Sequence, residues 1–289
     1  MFSSPKTEAV RGAWPRGAAA AALGYMVVAL GAFIMLMPFF YMMVFATHSN
    51  SDILSTPPPS WFGDQLMANV RDLIERRPHF WRSIGLSLWI AFAIAALNLF
   101  FCSLAGYAFA MLEFRHKELF FGFILATMLM PGFVSMIPTI LLMQQLGWID
   151  SSKALIVPGA CGALGIFMMR QYIASSVPRE LVDAARMDGC SEFAIYWRVI
   201  LPLLGPALGT LGLITFIGSY NNFVGALLVL RDQDSFTVPL VLRSLQGTSG
   251  VTVSALSAGA AITVLPLLVL FALYSRRLID GLTAGAVKG

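Results

Sequence analysis

SIGLSLWIAFAIAALNLFFCSLAGYAFAML, residues 83–112, holds no Asp, Glu, Lys or Arg, and it is bounded by Arg82 and Glu113. About 20 consecutive apolar residues carry a helix across a bilayer, and this stretch is longer than that. The pattern repeats outward in both directions. No formal charge occurs between Arg16 and Asp52, Glu118 and Asp150, Arg198 and Arg231, or Arg243 and Arg276, and a shorter gap separates Lys153 from Arg170. Charged residues make up 12% of the chain against 58% hydrophobic, where a soluble domain carries about 25% charged; mean hydropathy is +0.77. A soluble core does not need six such gaps. The reading is an all-α membrane protein with about six transmembrane helices.

The spans are expected at roughly Gly17–Thr47, Ile84–Met111, from Leu119 onward, Ala154–Met169, Leu203–Leu230 and Ser254–Ser275. The first is far longer than the ~7–15 apolar residues of a signal peptide, so it is retained as a helix. The third meets Pro131-Gly132 and Pro138. Proline lacks the backbone donor and clashes with the preceding turn, so that helix should kink or break. Such a kink serves either as a hinge or pathway lining, or simply as a packing feature. In the fourth span Gly159, Gly162 and Gly165 permit close helix–helix approach. Outside the spans, a surface helix is expected near Asp64–Arg76, and Glu113–Glu118 reads as a solvated turn.

An even number of spans puts both termini on one side. Lys6, Arg11 and Arg16 precede the first span, and Lys and Arg as a whole favour the terminus side, which is therefore expected to be cytoplasmic. The expected organisation is a cytoplasmic tail 1–16, a transmembrane domain 17–275 with a polar loop 170–200, and a cytoplasmic tail 276–289. The net charge of +4 is read through this topology and implies no nucleic acid. Cys102, Cys161 and Cys190 are expected to form no disulfide.

Loop 170–200 carries the most information. Ser176–Gly189 reads as one short helix, with Pro178 at its first position, Glu180 at its positive end and Arg186 in its last turn. Gly189 suits the left-handed residue that stops it. Leu181, Ala184 and Ala185 share a face, made shallow by the two alanines. Ser191 then caps a second helix, and Phe193, Tyr196, Trp197 and Ile200 form an apolar stripe before Pro202 opens the fifth span. The product is a helix–Gly–helix elbow. Its shape suits docking into a groove of another protein, or resting on the membrane surface.

Asp183-Ala184-Ala185, three residues, Gly189, nine residues, Val199, one residue, Leu201-Pro202 resembles the "EAA" loop of binding-protein-dependent ABC importer permeases, EAA-x3-G-x9-I-x-L-P. Asp183 stands for Glu and Val199 for Ile. Leu104–Ala110, Gly165–Gln171, Ser219-Tyr220-Asn221-Asn222-Phe223 and Gly281–Gly289 extend the resemblance to the carbohydrate-import class, similar to the maltose-type second permease subunit. In the third of these matches Asn222 replaces an Asp. The resemblance implies the fold of an ABC importer type I permease and a cytoplasmic coupling elbow. It also implies a second permease subunit, an ABC ATPase dimer that binds the ATP and Mg, and a periplasmic or extracellular solute-binding protein. Carried over by position, Asp183, Ala184, Ala185 and Gly189 couple to the ATPase, with Glu180 and Asp188 beside them. The tail is a second candidate contact.

No G-x-x-x-x-G-K-[ST] phosphate loop is present, so ATP is not bound that way and no cofactor is expected in this chain. An ion-coupled secondary transporter is the alternative within transport; the charge-free spans oppose a proton relay but leave sodium at a broken helix open. An integral-membrane enzyme is the alternative outside it. His48, His79 and His116 form no spaced set, and Asp183 and Asp188 at i and i+5 face apart, so neither catalytic residues nor metal ligands are expected. Asn98, Gln144, Gln145, Asn221 and Asn222 are amides in or near spans. They serve either as sugar contacts, with Asn221 and Asn222 foremost, or as helix–helix hydrogen bonds. The Arg71–Arg82 cluster fits an anion, a docking face or a solvated helix equally. A mono- or oligosaccharide, or a polyol such as glycerol 3-phosphate, is the expected solute.

Overall fold

Runs of Ala, Leu, Ile, Phe and Met without charge have only one way to satisfy their backbone in a bilayer other than a closed barrel, which is to become helices. The computed structural model describes residues 18–246 and 252–286, and among these there is no strand. The helices are α1 (Ala18–Ala46), α2 (Asn50–Ile53), α3 (Leu66–Arg76), α4 (Phe80–Met111), α5 (Lys117–Met128), α6 (Met136–Gln145), α7 (Lys153–Gly159) and α8 (Ala163–Ser176). Then follow α9 (Arg179–Met187), α10 (Glu192–Ile195), α11 (Leu201–Leu203), α12 (Gly205–Tyr220), α13 (Phe223–Val229), α14 (Val238–Gln246) and α15 (Val253–Ala286). The tail 1–16 and residues 287–289, with Lys6, Arg11, Arg16 and Lys288, lie outside the described residues.

Four stretches are long and apolar enough to cross a membrane: Ala21–Ala46, Phe80–Met111, Lys153–Ser176 and Val253–Leu273. Two more pairs qualify when each is taken as one bent span: Lys117–Met128 with Gly132–Gln145, bent by 96°, and Glu192–Leu203 with Gly205–Tyr220, bent by 82°. Up to six spans result, as the charge-free gaps predict. The surface helix expected near Asp64–Arg76 is α3.

The spans are more broken than their composition suggests. α5 stops at Met128, and Pro131-Gly132 leads into a tight turn over Gly132–Ser135 before α6 resumes. Pro138 sits in the first turn of α6, where its missing N–H has no partner to lose, so the break belongs to Pro131-Gly132 alone. The fourth span is two helices rather than one: Pro158 lies near the end of α7, and extended Gly162 caps α8. The fifth opens at Gly205-Pro206, not at Pro202, and divides again at Asn221-Asn222 between α12 and α13. The sixth continues as α15 past Ser275 to Ala286.

α4 is the hub, packing along α8 and α12, while α15 packs on α1 and α12. Glycine sets the closest approach. A Cβ on Gly106 would meet Met169 Cβ at 2.5 Å and the backbone N of Arg170 at 2.9 Å. One on Gly165 would meet Cys102 Sγ at 2.6 Å, and one on Gly159 the Ile94 side chain at 3.0 Å; Gly162 has room to spare. Asn98, buried on α4, donates to the Gly159 carbonyl at 3.2 Å, which is the helix–helix role for that amide. Tyr220 on α12 donates to the Thr263 carbonyl on α15 at 3.0 Å. By contrast α1 is apolar all round and has 6% of its most apolar window buried within the chain, so lipid or a neighbouring subunit must cover it.

At the end of the molecule that carries α3, two arginines of the cluster, Arg76 and Arg77, are already engaged. Arg76 pairs with Asp72 at 2.7 Å, Arg77 donates to Gln233 Oε1 at 2.8 Å and to the Ser244 carbonyl at 3.2 Å, and His79 lies 3.2 Å from Asp234. These contacts tie α3 and the start of α4 to the 233–246 segment.

Candidate functional site

The elbow is built from α9, the left-handed Gly189 (φ +77°), α10 and a π-helical turn over Tyr196–Ile200. Pro202 explains that turn. Its ring clashes with the carbonyl four residues back, and widening the helix by one residue relieves the clash. Ser191 caps α10 as expected, its Oγ accepting from the Ala194 N–H. Pro178 is the residue before α9 rather than its first residue.

Two faces result. Inward, Val182, Ile195, Tyr196 and Ile200 are fully buried with Met169, Ile173 and Tyr107 in one apolar cluster, against which Ala185 packs. Outward, Leu181 and Ala184 are exposed, Met187 is 88% exposed, and Phe193 and Trp197 are more than half exposed with rings stacked 6.3 Å apart. The expected face Leu181–Ala184–Ala185 is therefore split: Ala185 turns in beside Val182. The expected aromatic stripe is split in the same way, Tyr196 and Ile200 facing in, Phe193 and Trp197 out. A β-carbon on Gly189 would meet nothing within 4 Å, so glycine is there for its backbone angle and leaves open space at the corner.

Charges rim this patch. Glu180 lies in the first turn of α9 and Asp188 closes it, both exposed. Asp183 accepts from Arg186 Nη1 at 3.1 Å, and Arg186 Nε donates to Glu192 Oε1 at 2.8 Å. The Glu192 carboxylate raises the Arg186 pKa further above its ordinary value. Arg179 lies 3.9 Å from Glu113, which also pairs with Lys117 at 3.7 Å; Arg170 pairs with Glu118 and lies 4.3 Å over the Phe121 ring. An exposed apolar patch with a charged rim is the form of a protein-docking surface. Sequence spacing located it but missed Met187, Arg186's partner Glu192, and Tyr107.

A second site lies among the span breaks. A cavity of about 370 Å³ is lined by Ile94 of α4, Thr139 of α6, Pro158 of α7, Thr215 and Ser219 of α12, and Asn222. Interrupted helices in a membrane are tolerated where they line a cavity, and here three interrupted spans meet on one. The Ser219 hydroxyl is buried with no hydrogen-bond partner among the described residues. Asn222 caps α13, its Oδ1 accepting from the Gly225 N–H at 2.9 Å. Asn221 ends α12, and Gln144 and Gln145 are exposed on α6. Among the described residues no group of three His, Cys, Asp or Glu could hold a metal.

Residues 102–281, which contain both the elbow and most of the cavity wall, match the family model of the binding-protein-dependent transport system inner membrane component. The chain belongs to this family. It is 39% identical over 210 residues to the arabinooligosaccharides transport system permease protein AraQ of Halalkalibacterium halodurans, covering 73% of this chain and 75% of that one. It is 31% identical to the trehalose/maltose transport system permease protein MalG of Thermococcus litoralis, covering 90% and 94%. A solved bacterial ABC transporter involved in importing the acidic polysaccharide alginate has a chain of the same fold, with TM-score 0.77 and 22% identity, covering 91% of this chain and 99% of that one. As a binding-protein-dependent transport component, the chain is a membrane-embedded permease of an ABC importer. The readings as a self-contained ion-coupled transporter and as a membrane enzyme are set aside.

Proposed function

We propose that this permease forms half of the translocation pathway for a sugar or sugar-like solute and couples it to a separate ATPase through the elbow. The exposed Leu181, Met187, Phe193 and Trp197 on one elbow carry the proposal: apolar side chains grouped within a charged rim fit a partner protein. Asp183, Ala184, Gly189, Glu180 and Asp188 lie on or around it. The partners are a second permease subunit, an ABC ATPase dimer holding ATP and Mg, and a solute-binding protein on the opposite face. Both termini then lie on the cytoplasmic side, in the inner membrane, and the tail beyond Ser275 is a further ATPase contact. No bond of the solute is made or broken in this chain.

The solute class rests on relatives named for arabinooligosaccharides and for trehalose and maltose, and on the cavity chemistry. Thr139, Thr215, Ser219 and Asn222 offer hydroxyls and an amide but no formal charge, which suits a neutral polyhydroxylated solute. Asn222 contributes to the wall; its role in capping α13 competes with direct contact. No arginine of the Arg71–Arg82 cluster lines this cavity, so the cluster offers an anionic solute no charge there.

Purification in mild detergent with mass spectrometry tests the assembly. A second permease and an ATPase recovered with this chain support the reading, and recovery of a homo-oligomer without ATPase overturns it. Gly189→Val forces a β-branched residue into the left-handed region, where even an unbranched side chain costs roughly 1–2 kcal/mol. It is expected to leave membrane insertion intact and to uncouple ATP hydrolysis from transport; full transport in that variant sinks the elbow's role.

A further inference from the structure

On α4, Ser103 and Tyr107 stand one helical turn apart on a common face, and on the elbow Glu192 and Tyr196 stand in the same relation. The pairs meet as two rungs. Ser103 Oγ and the Tyr196 hydroxyl lie 2.8 Å apart, and the Tyr107 hydroxyl donates to Glu192 Oε2 at 2.6 Å. Pairing 103 with 196 and 107 with 192 sets the two helical segments antiparallel. The other Glu192 oxygen accepts from Arg186, which reaches Asp183. A continuous hydrogen-bonded line therefore runs from Asp183 on the outward elbow to the body of α4.

Chain connectivity does not demand this line, because the elbow continues into α12 and is remote from α4 in sequence. The Tyr107–Glu192 bond is short and charge-assisted, hence among the stronger kinds, and Tyr107 is buried. Farther along the same helix, Asn98 binds the Gly159 carbonyl at the break of the fourth span, and Ile94 lines the cavity. The distance along α4 from Tyr107 to Asn98 is roughly 14 Å at the helical rise.

We propose that Tyr107 and Glu192 are positioning residues that lock the elbow to α4, so that displacement of the elbow reaches the cavity through α4 as well as through α12. This rests on the elbow being the ATPase-docking element. Tyr107→Phe deletes only the hydroxyl and keeps the ring that packs against Tyr196, 6.0 Å away; the freed carboxylate oxygen belongs to an exposed residue that water can reach.

The test uses the complete importer with its ATPase, a Thr139→Cys reporter in the cavity wall, and Cys102, Cys161 and Cys190 replaced by Ser. Fluorescein maleimide labelling of the reporter is timed with and without trapping by ATP and vanadate. The parent is expected to change rate several-fold on trapping. Tyr107→Phe and Glu192→Ala are each expected to lose most of that change while the ATPase still co-purifies, and the double variant to lose no more than Glu192→Ala alone, because without the carboxylate the Tyr107 hydroxyl has no bond to the elbow left to lose. A full response in Tyr107→Phe, additive losses in the double variant, or loss of the ATPase from Tyr107→Phe would each overturn the positioning role. Gly189→Val separates the two readings. If it abolishes the response while Tyr107→Phe does not, only the α4 link fails. If it too responds fully, or the parent does not respond, the elbow reading fails and the link with it.

Discussion

Met187 stands 88% exposed at the corner of the elbow, one residue from the Asp that ends α9. None of the described residues covers it, and burying a methionine side chain is worth about 1.5–3 kcal/mol. Met187→Glu should therefore weaken ATPase association at least about tenfold, since 1.4 kcal/mol is a tenfold change in affinity. Titrating purified ATPase onto detergent-solubilised permease checks this, and unchanged affinity would place the docking contact elsewhere. Ser219 is the matching residue in the cavity. If its unpartnered hydroxyl meets solute, Ser219→Ala should lower transport several-fold with the ATPase still bound; if it meets only water, transport should not change. Neither residue's role was legible from spacing. Met187 lies between the helix-ending Asp188 and the charged Arg186, where spacing rules attend to the caps, and Ser219 entered only as the first residue of a family match.

At the scale of elements, the glycines divide into those that set a contact and those that do not. Gly106 on α4 faces α8 with no space for a β-carbon. Overpacking of this kind typically costs about 1–3 kcal/mol. Gly106→Val should lower the thermal aggregation temperature of the purified permease by several degrees. Gly122 in α5 would place a β-carbon in open space, so Gly122→Ala should hold or raise that temperature, alanine being the better helix former by roughly 1 kcal/mol. Equal effects in the two would mean that the α4–α8 approach is not tight. Gly159 and Gly165 were readable as close-approach positions because they recur along one apolar helix. The division of that span was not. Pro158 was visible, but a proline near the end of a helix can be absorbed by a kink; here the chain restarts at Ala163 after extended Gly162, with Gly159 against Ile94 and its carbonyl bonded by Asn98. The same holds for Asn221-Asn222: the amides stood out as sugar contacts or helix–helix bonds, but not as the place where the backbone divides and Asn222 caps a new helix.

At the scale of the whole molecule, spans and elbow were legible because they rest on charge-free length and helix punctuation, both local properties. What the sequence could not carry is convergence: that the breaks of the fourth and fifth spans meet Thr139 of the third on one cavity, and that α4 reaches both this cavity and the elbow. Convergence also bears on topology. The elbow follows the fourth span and α3 precedes the second, so a six-span path places them on opposite sides of the bilayer. The 82° bend at Leu204 turns the elbow away from the line of α12, which suits a segment lying along the membrane face. The proposed topology puts the elbow in the cytoplasm, in line with the Lys and Arg bias, although Arg71, Arg76, Arg77 and Arg82 weigh against that bias on the α3 side. Engagement of Arg76 and Arg77 by Asp72, Gln233 and Ser244 gives those two arginines a structural reason to exist that is independent of topology. With Cys102, Cys161 and Cys190 replaced by Ser, an impermeant maleimide added to intact spheroplasts should therefore label Asp64→Cys and spare Met187→Cys, and opening the membrane should reveal Met187→Cys. The reverse pattern would invert the protein, put the elbow out of reach of any cytoplasmic ATPase, and remove the coupling role together with the α4 link that depends on it.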